Sequence, residues 1–137
     1  MDKKLHSFTY PNSSTLKPSK IIYDDNKIIT ISYYSFGKLH NEGSYAYLKY
    51  YPNGQIEYIK HYSHNKLNSP LLDNDTKPAV IKYYENGNID YEEYWFEGNF
   101  HRNDNKPAII KYYEDGRLES EAYYLMSVLL QPPTLYP

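Results

Sequence analysis

Lys77–Gly87 reads KPAVIKYYENG, and Lys106–Gly116 reads KPAIIKYYEDG. Two near-identical phrases spaced 29 residues apart mark a tandem repeat, in which one supersecondary unit is copied along the chain. A catalytic site gathers different residues once in one place, so a phrase written along a line speaks for architecture. On this period the third unit covers 78–106 and the fourth 107–134. The second, 45–77, places Lys49, Tyr50, Tyr51, Asn53 and Gly54 where Lys82, Tyr83, Tyr84, Asn86 and Gly87 stand later. The first, 18–44, matches through Ile28–His40, IITISYYSFGKLH, against Ile89–His101, IDYEEYWFEGNFH; its first half is degraded. Residues 1–17, with Pro11, Asn12, Ser13 and Ser14, are turn-rich and read as an N-terminal cap with a loop.

The stretch YYENGN sets the pairing. A two-residue loop over Asn86 and Gly87 would mix charged and apolar side chains on both faces. A three-residue loop over Glu85, Asn86 and Gly87, with Gly87 left-handed, pairs Tyr83 with Ile89, Ile81 with Tyr91 and Ala79 with Glu93. One face then holds Ala79, Ile81, Tyr83, Ile89, Tyr91 and Trp95. The other sets Lys82 against Asp90, Lys49 against Glu57 and Lys111 against Glu119, pairs worth about 0.2–1 kcal/mol each on a water-facing sheet. This loop requires positive φ at Gly54, Gly87 and Gly116. The expected fold is all-β, with tandem hairpins forming an elongated, twisted antiparallel sheet.

Composition agrees. The 137 residues include 19 Tyr against 4 Phe and 1 Trp, and rings carrying hydroxyls suit a thin structure whose surface is never far away. Fifteen basic and 17 acidic side chains, interspersed, leave a net charge of −2 and no basic patch for nucleic acid or anionic lipid. With no cysteine there is no disulfide framework and no thiolate metal site. The longest apolar run, Tyr123–Leu130 broken by Ser127, is too short to span a bilayer. The start MDKKLHSFTY lacks the apolar core of a signal peptide, so an intracellular location is expected.

The second half of the unit resembles the MORN repeat, a β-hairpin repeat found in scaffolding and junction proteins. Its core phrase runs Tyr, three residues, Trp, two, Gly, two, His, which Tyr91, Trp95, Gly98 and His101 satisfy. The first unit keeps Tyr34, Gly37 and His40 but has Thr30 for the Tyr. The second has Tyr58 and Tyr62 with Asn65 for Gly and Asn68 for His, and the fourth keeps only Tyr124. Arg102 replaces the Gly that follows the family's His, and the link to the next hairpin is longer. The fuller phrase, FHRNDNKPAIIKYYEDG, is similar to variant repeats in proteins of giant DNA viruses of amoebae. The resemblance covers roughly residues 18–124. It implies a structural or interaction module, located in the host cytoplasm or virion in the viral case.

Catalytic chemistry is not written into the chain. His61 and His64 in HYSH point to opposite faces of a strand and lack a neighbouring acid or thiol, which weighs against a metal site. His40 and His101 recur at one repeat position and read as turn residues bonded to backbone. Glu92 and Glu93 are adjacent on a strand, face opposite ways and read as a solvated surface rather than an acid–base pair. No phosphate loop, dinucleotide fingerprint or nucleophile elbow is present. The expectation is therefore a non-enzymatic structural or protein-interaction module without cofactor, whose protein partner meets two tyrosine rows on the charged face: Tyr51, Tyr84 and Tyr113, and Tyr33, Tyr94 and Tyr123. The alternative is a carbohydrate or lipid head-group binder using the same rows. Tyr123–Pro137, YYLMSVLLQPPTLYP, departs from the repeat phrase. It is expected to be strand to about Tyr124 and then an apolar tail that covers the open sheet edge or packs in a homodimer.

Overall fold

The computed structural model describes residues 6–9, 18–41, 44–72 and 75–131. Every regular element among them is a strand, and no described helix is long and apolar enough to cross a membrane. Each unit is a long hairpin followed by a short one. The long hairpins are β2 (Lys20–Asp24) with β3 (Lys27–Ser32), β6 (Tyr47–Tyr50) with β7 (Ile56–Lys60), β12 (Val80–Tyr83) with β13 (Ile89–Glu93), and β16 (Ile109–Tyr112) with β17 (Leu118–Leu125). The short hairpins are β4 (Tyr34–Ser35) with β5 (Lys38–Leu39), β8 (Tyr62–Ser63) with β9 (Lys66–Leu67), and β14 (Trp95–Phe96) with β15 (Asn99–Phe100). In the fourth unit the end of β17 pairs with β18 (Val128–Leu130). The link after the second unit carries a small hairpin, β10 (Leu71–Leu72) with β11 (Asp75–Thr76). Of residues 1–17, β1 (His6–Thr9) is a strand that pairs along β2, so part of the expected cap loop joins the sheet; the rest lies outside the described residues. One antiparallel sheet runs in the order β1-β2-β3-β6-β7-β12-β13-β16-β17-β18.

The three-residue loop is as its sequence requires. The Tyr84 N–H donates to the Asn88 carbonyl at 2.8 Å and the Gly87 N–H to the Tyr84 carbonyl at 2.9 Å. Gly54, Gly87 and Gly116 have φ of 88°, 92° and 94°. Asn86 Oδ1 accepts from the Asn88 N–H at 2.9 Å, an Asx turn that explains the Asn or Asp before each of these glycines.

Beyond the loop the register departs from expectation. Tyr83 does face Ile89, but Lys82 then faces Tyr91, Ile81 faces Glu92 and Val80 faces Glu93. Asp90 is an extra residue, a β-bulge, and it moves every later partner by one. Glu57 and Glu119 are bulged in the same place, as is Ile29 in the first unit. In the second and third units the bulge sets an acid beside a lysine: Lys82 Nζ is 3.6 Å from Asp90 and Lys49 Nζ is 3.2 Å from Glu57, and on its other side the Lys82 ammonium lies 5.6 Å from the ring centre of Tyr58 of β7. Lys111 and Glu119 occupy the equivalent places without closing an ion pair.

The bulge also redraws the faces. Ile21, Ile31, Leu48, Ile59, Ile81 and Ile110 form a row across the sheet, with Glu92 between the last two and Glu121 after them, flanked on the same side by Tyr23, Tyr50, Tyr83 and Tyr112 opposite Ile28, Ile56, Ile89 and Leu118. This is the apolar face. Lys49, Tyr58, Lys82, Tyr91 and Lys111 alternate across the other. Tyr91 and Trp95 are thus not on the apolar face: the Tyr91 hydroxyl is 3.5 Å from that of Tyr58, and Trp95 Nε1 donates to Glu93 Oε2 at 2.8 Å.

Burial concentrates where units meet. Ala46, Ala79 and Ala108 are 0% exposed and the equivalent Ser19 is 1% exposed, while the Ile and Tyr rows are mostly half-buried. Ala79 is bonded on both sides, donating to the Glu93 carbonyl at 2.8 Å and accepting from the His61 N–H at 2.7 Å.

The fourth unit does not end in a tail at Tyr124. Strand β17 continues to Leu125, Met126 and Ser127 make a two-residue turn with φ of 46° and 65°, and β18 returns. Glu97–Gly98 at 46° and 83° and His64–Asn65 at 49° and 68° share that conformation. Residues 132–137 lie outside the described residues.

A Cβ on Gly87 would meet only Gln55 Oε1, at 3.9 Å, so the cost of substitution there is conformational. Gly87→Val is expected to lose more than about 1 kcal/mol in urea unfolding, and Gly87→Asn clearly less.

Candidate functional site: the seams between units

The expected tyrosine surface divides in two. Tyr51 and Tyr84 stand beside the long turns, where the Tyr51 hydroxyl donates to the Tyr83 carbonyl at 2.7 Å and the Tyr84 hydroxyl to the Tyr112 carbonyl at 2.8 Å. Partial burial raises the Tyr51 phenol, which keeps it a donor. Asn86 Nδ2 and Asn88 Nδ2 add bonds to the Glu114 carbonyl at 3.1 and 2.9 Å. These rings cover the next unit's backbone. Tyr113 ends the row 46% exposed, with no following long turn to meet among the described residues. Tyr33, Tyr94 and Tyr123 belong to the opposite, apolar side, because the bulge inverts the alternation expected of them. Tyr94 is 6% exposed, with the Arg102 guanidinium 3.7 Å from its ring centre, and the Tyr123 hydroxyl donates to Glu121 at 3.0 Å. The six tyrosines form no common surface.

At the other end of each unit the short hairpins dock by one repeated arrangement. The N–H groups of Asn65, Gly98 and Ser127 donate to the carbonyls of Leu39, Leu67 and Phe100 at 2.9, 2.9 and 2.8 Å. One residue earlier, the N–H groups of His64 and Met126 donate to Nδ1 of His40 and His101 at 3.4 and 3.1 Å. In the middle seam Asn68 Oδ1 takes that role, accepting from the Glu97 N–H at 3.1 Å. The recurring histidines are thus turn residues bonded to backbone, and Asn68 shows what chemistry the position asks for: an acceptor of limited reach.

The two histidines of HYSH separate. His61 is 6% exposed, and its Nδ1 faces the Asn68 carbonyl as donor, whereas His64 lies in an exposed turn against the His40 ring, 4.3 Å between centres. No group of three metal-ligating side chains occurs among the described residues. Burial pushes the His61 imidazole below its usual range, and the nearby His40 adds to this. Glu92 and Glu93 do face opposite ways, but neither is the solvated surface residue expected. Burial raises both carboxyls, with Arg102 and Tyr112 opposing the rise at Glu92, and Trp95, Lys60 and Lys111 opposing it at Glu93. They are seam residues, out of each other's reach as acid and base.

The long links leave a cleft of about 530 Å³ between Leu71 and Thr76 on one side and His101–Lys106 on the other, floored by Trp95 and Phe96. Phe96 is 46% and Leu71 69% exposed. The sequence reading missed this cleft because it missed the short hairpins. Their signal was present: Phe36–Gly37 and Glu97–Gly98, each between aromatic or aliphatic pairs, have the two-residue hairpin form.

A single layer of paired hairpins, joined at each seam by the same bonds, defines a tandem-repeat β protein. Residues 46–64, 79–97 and 109–125 each match the MORN repeat variant. The first two matches start at the buried alanine and end in the short turn. No curated protein and no solved structure matches the chain.

Substitutions at His101 and His61 test the seams. His101→Ala is expected to lose about 1 kcal/mol and His101→Asn much less, read by urea unfolding. His61 has a depressed folded pKa, so the unfolded chain takes up the proton first and stability falls as pH drops below about 6.5. His61→Tyr, which restores the residue found at Tyr33 and Tyr94, should remove that component of the pH dependence while keeping the fold.

Proposed function

We propose that the protein is a non-enzymatic repeat scaffold whose apolar sheet face docks a protein partner. The observation that supports this reading is the single layer: the strands contact their sheet neighbours, and no described element forms a second layer over the Ile and Tyr rows. Ile28 and Leu118 are 38% and 53% exposed there. Rows of aromatic and aliphatic side chains with few charges are the composition of an interface centre. The MORN repeat matches agree with a structural or interaction role, and the candidate titratable groups are spent on holding units together.

A small-ligand reading has one observation behind it, the cleft at Trp95 and Phe96, where ring faces adjoin Asn103, Asp104 and Lys106. A glycan array and a lipid overlay distinguish the two readings. A scaffold is silent on both, whereas a ligand of the cleft would be lost in Phe96→Ala.

The scaffold reading is tested with a photo-crosslinking phenylalanine analogue placed at Tyr50 or Tyr83 on the apolar face and at Tyr58 or Tyr91 on the charged face, in cells that express the protein. A discrete crosslinked protein from the first pair and none from the second is expected. Equal crosslinking from both faces, or none from either, would overturn the assignment.

A further inference from the structure

We infer that the outer edge of the last short hairpin is a homodimer contact, in which Leu129 exchanges both of its backbone hydrogen bonds with Leu129 of a second copy across a two-fold axis. The inference concerns the end of the ladder and does not depend on what the apolar face binds. It starts from the seam geometry. Leu125 faces Val128 across the tight turn and Tyr124 faces Leu129 next, so the alternation of an antiparallel ladder turns the N–H and C=O of Leu129 outward. The equivalent carbonyls of Leu39, Leu67 and Phe100 also point outward, and each accepts from the following unit. Leu129 is the next in that series, and no described residue occupies its edge. Val128, Leu129 and Leu130 are 61%, 65% and 36% exposed, an uncharged β-strand edge left open.

The identity of the occupant follows from what the fourth unit has lost. The acceptor found at His40, Asn68 and His101 is Leu130 here, so the first N–H of a docking turn would find no partner. The bridging amides of Asn53 and Asn86 are replaced by Asp115, which closes on Arg117 of its own turn at 2.7 Å. A further hairpin of the same kind is thus not what this end receives. The segment 132–137 begins with Pro132 and Pro133, which have no N–H to give a ladder. A second copy supplies what is missing: centred on Leu129, antiparallel pairing is self-complementary and sets Val128 against Leu130 of the partner. The neighbouring edge of β17 cannot serve, because its exposed Glu119 and Glu121 would meet the same acids in the partner.

The test is sedimentation equilibrium of the full chain across the micromolar-to-millimolar range. A concentration-dependent approach to twice the 16.3 kDa chain mass is expected. Leu129→Glu and Leu129→Lys, each with unchanged circular dichroism, should each weaken association by more than about tenfold, and their equimolar mixture should restore it, because only a residue that faces its own copy gives this rescue. Three outcomes would overturn the inference: a monomer at every concentration, a dimer indifferent to charge at 129, or a dimer lost on removing residues 132–137 with Leu129 intact.

Discussion

The point on which the structure turns is the small residue at Ser19, Ala46, Ala79 and Ala108. There the chain enters a long hairpin and donates to its own return strand, and at Ala46, Ala79 and Ala108 it also accepts from the unit before. Two seams converge on one residue, and a side chain larger than Ala or Ser would hold the strands apart. Ser19 is the largest side chain that is fully buried in the described structure, so nothing resembling a globular core backs these contacts up. Stability is instead distributed along the ladder, each unit completing the hydrogen bonds of the one before it.

That dependence explains the tyrosines. In a thick core a buried phenol must find a partner or remain unpaired. In a single layer the hydroxyl of Tyr51 or Tyr84 crosses to the next unit's carbonyl and turns a packing residue into a fastener. The same economy governs the charges: Lys49 and Lys82 each meet an acid supplied by a bulge, and Lys82 also lies near the ring of Tyr58. The charged face is thus a set of seams.

What could be read from the sequence was local. The loop Glu85-Asn86-Gly87 followed from the need for one left-handed residue, and the backbone role of His40 and His101 followed from recurrence. The bulge at Asp90 was hidden, because a bulge leaves residue types unchanged and alters only the pairing count. Assuming an uninterrupted pleat carried Tyr91, Trp95 and the row of Tyr33, Tyr94 and Tyr123 to the wrong side. Lys82 facing Asp90 looked like confirmation of that register, since the ion pair forms with or without the bulge. In the first unit, Asp25–Asn26 between Ile21–Tyr23 and Ile28–Ile31 was a readable two-residue turn, concealed by the search for a three-residue one.

The end of the chain shows how far neighbours can override local preference. Met126 and Ser127 occupy positive φ, where Gly or Asn is the residue of choice, and nothing in LMSV signals a turn. Yet the turn has the backbone of Glu97–Gly98, because the carbonyl of Phe100 and the ring nitrogen of His101 are already placed to receive its two N–H groups. The unit before acts as the template, and the last hairpin adopts the repeat's shape without the repeat's residues. A template of this kind works in one direction only. It shapes the unit it receives, while the acceptor side chain and the amides that would shape the next one are replaced, so the sheet keeps the geometry of a continuing ladder up to an edge whose side chains have changed from polar acceptors to the exposed Val128, Leu129 and Leu130.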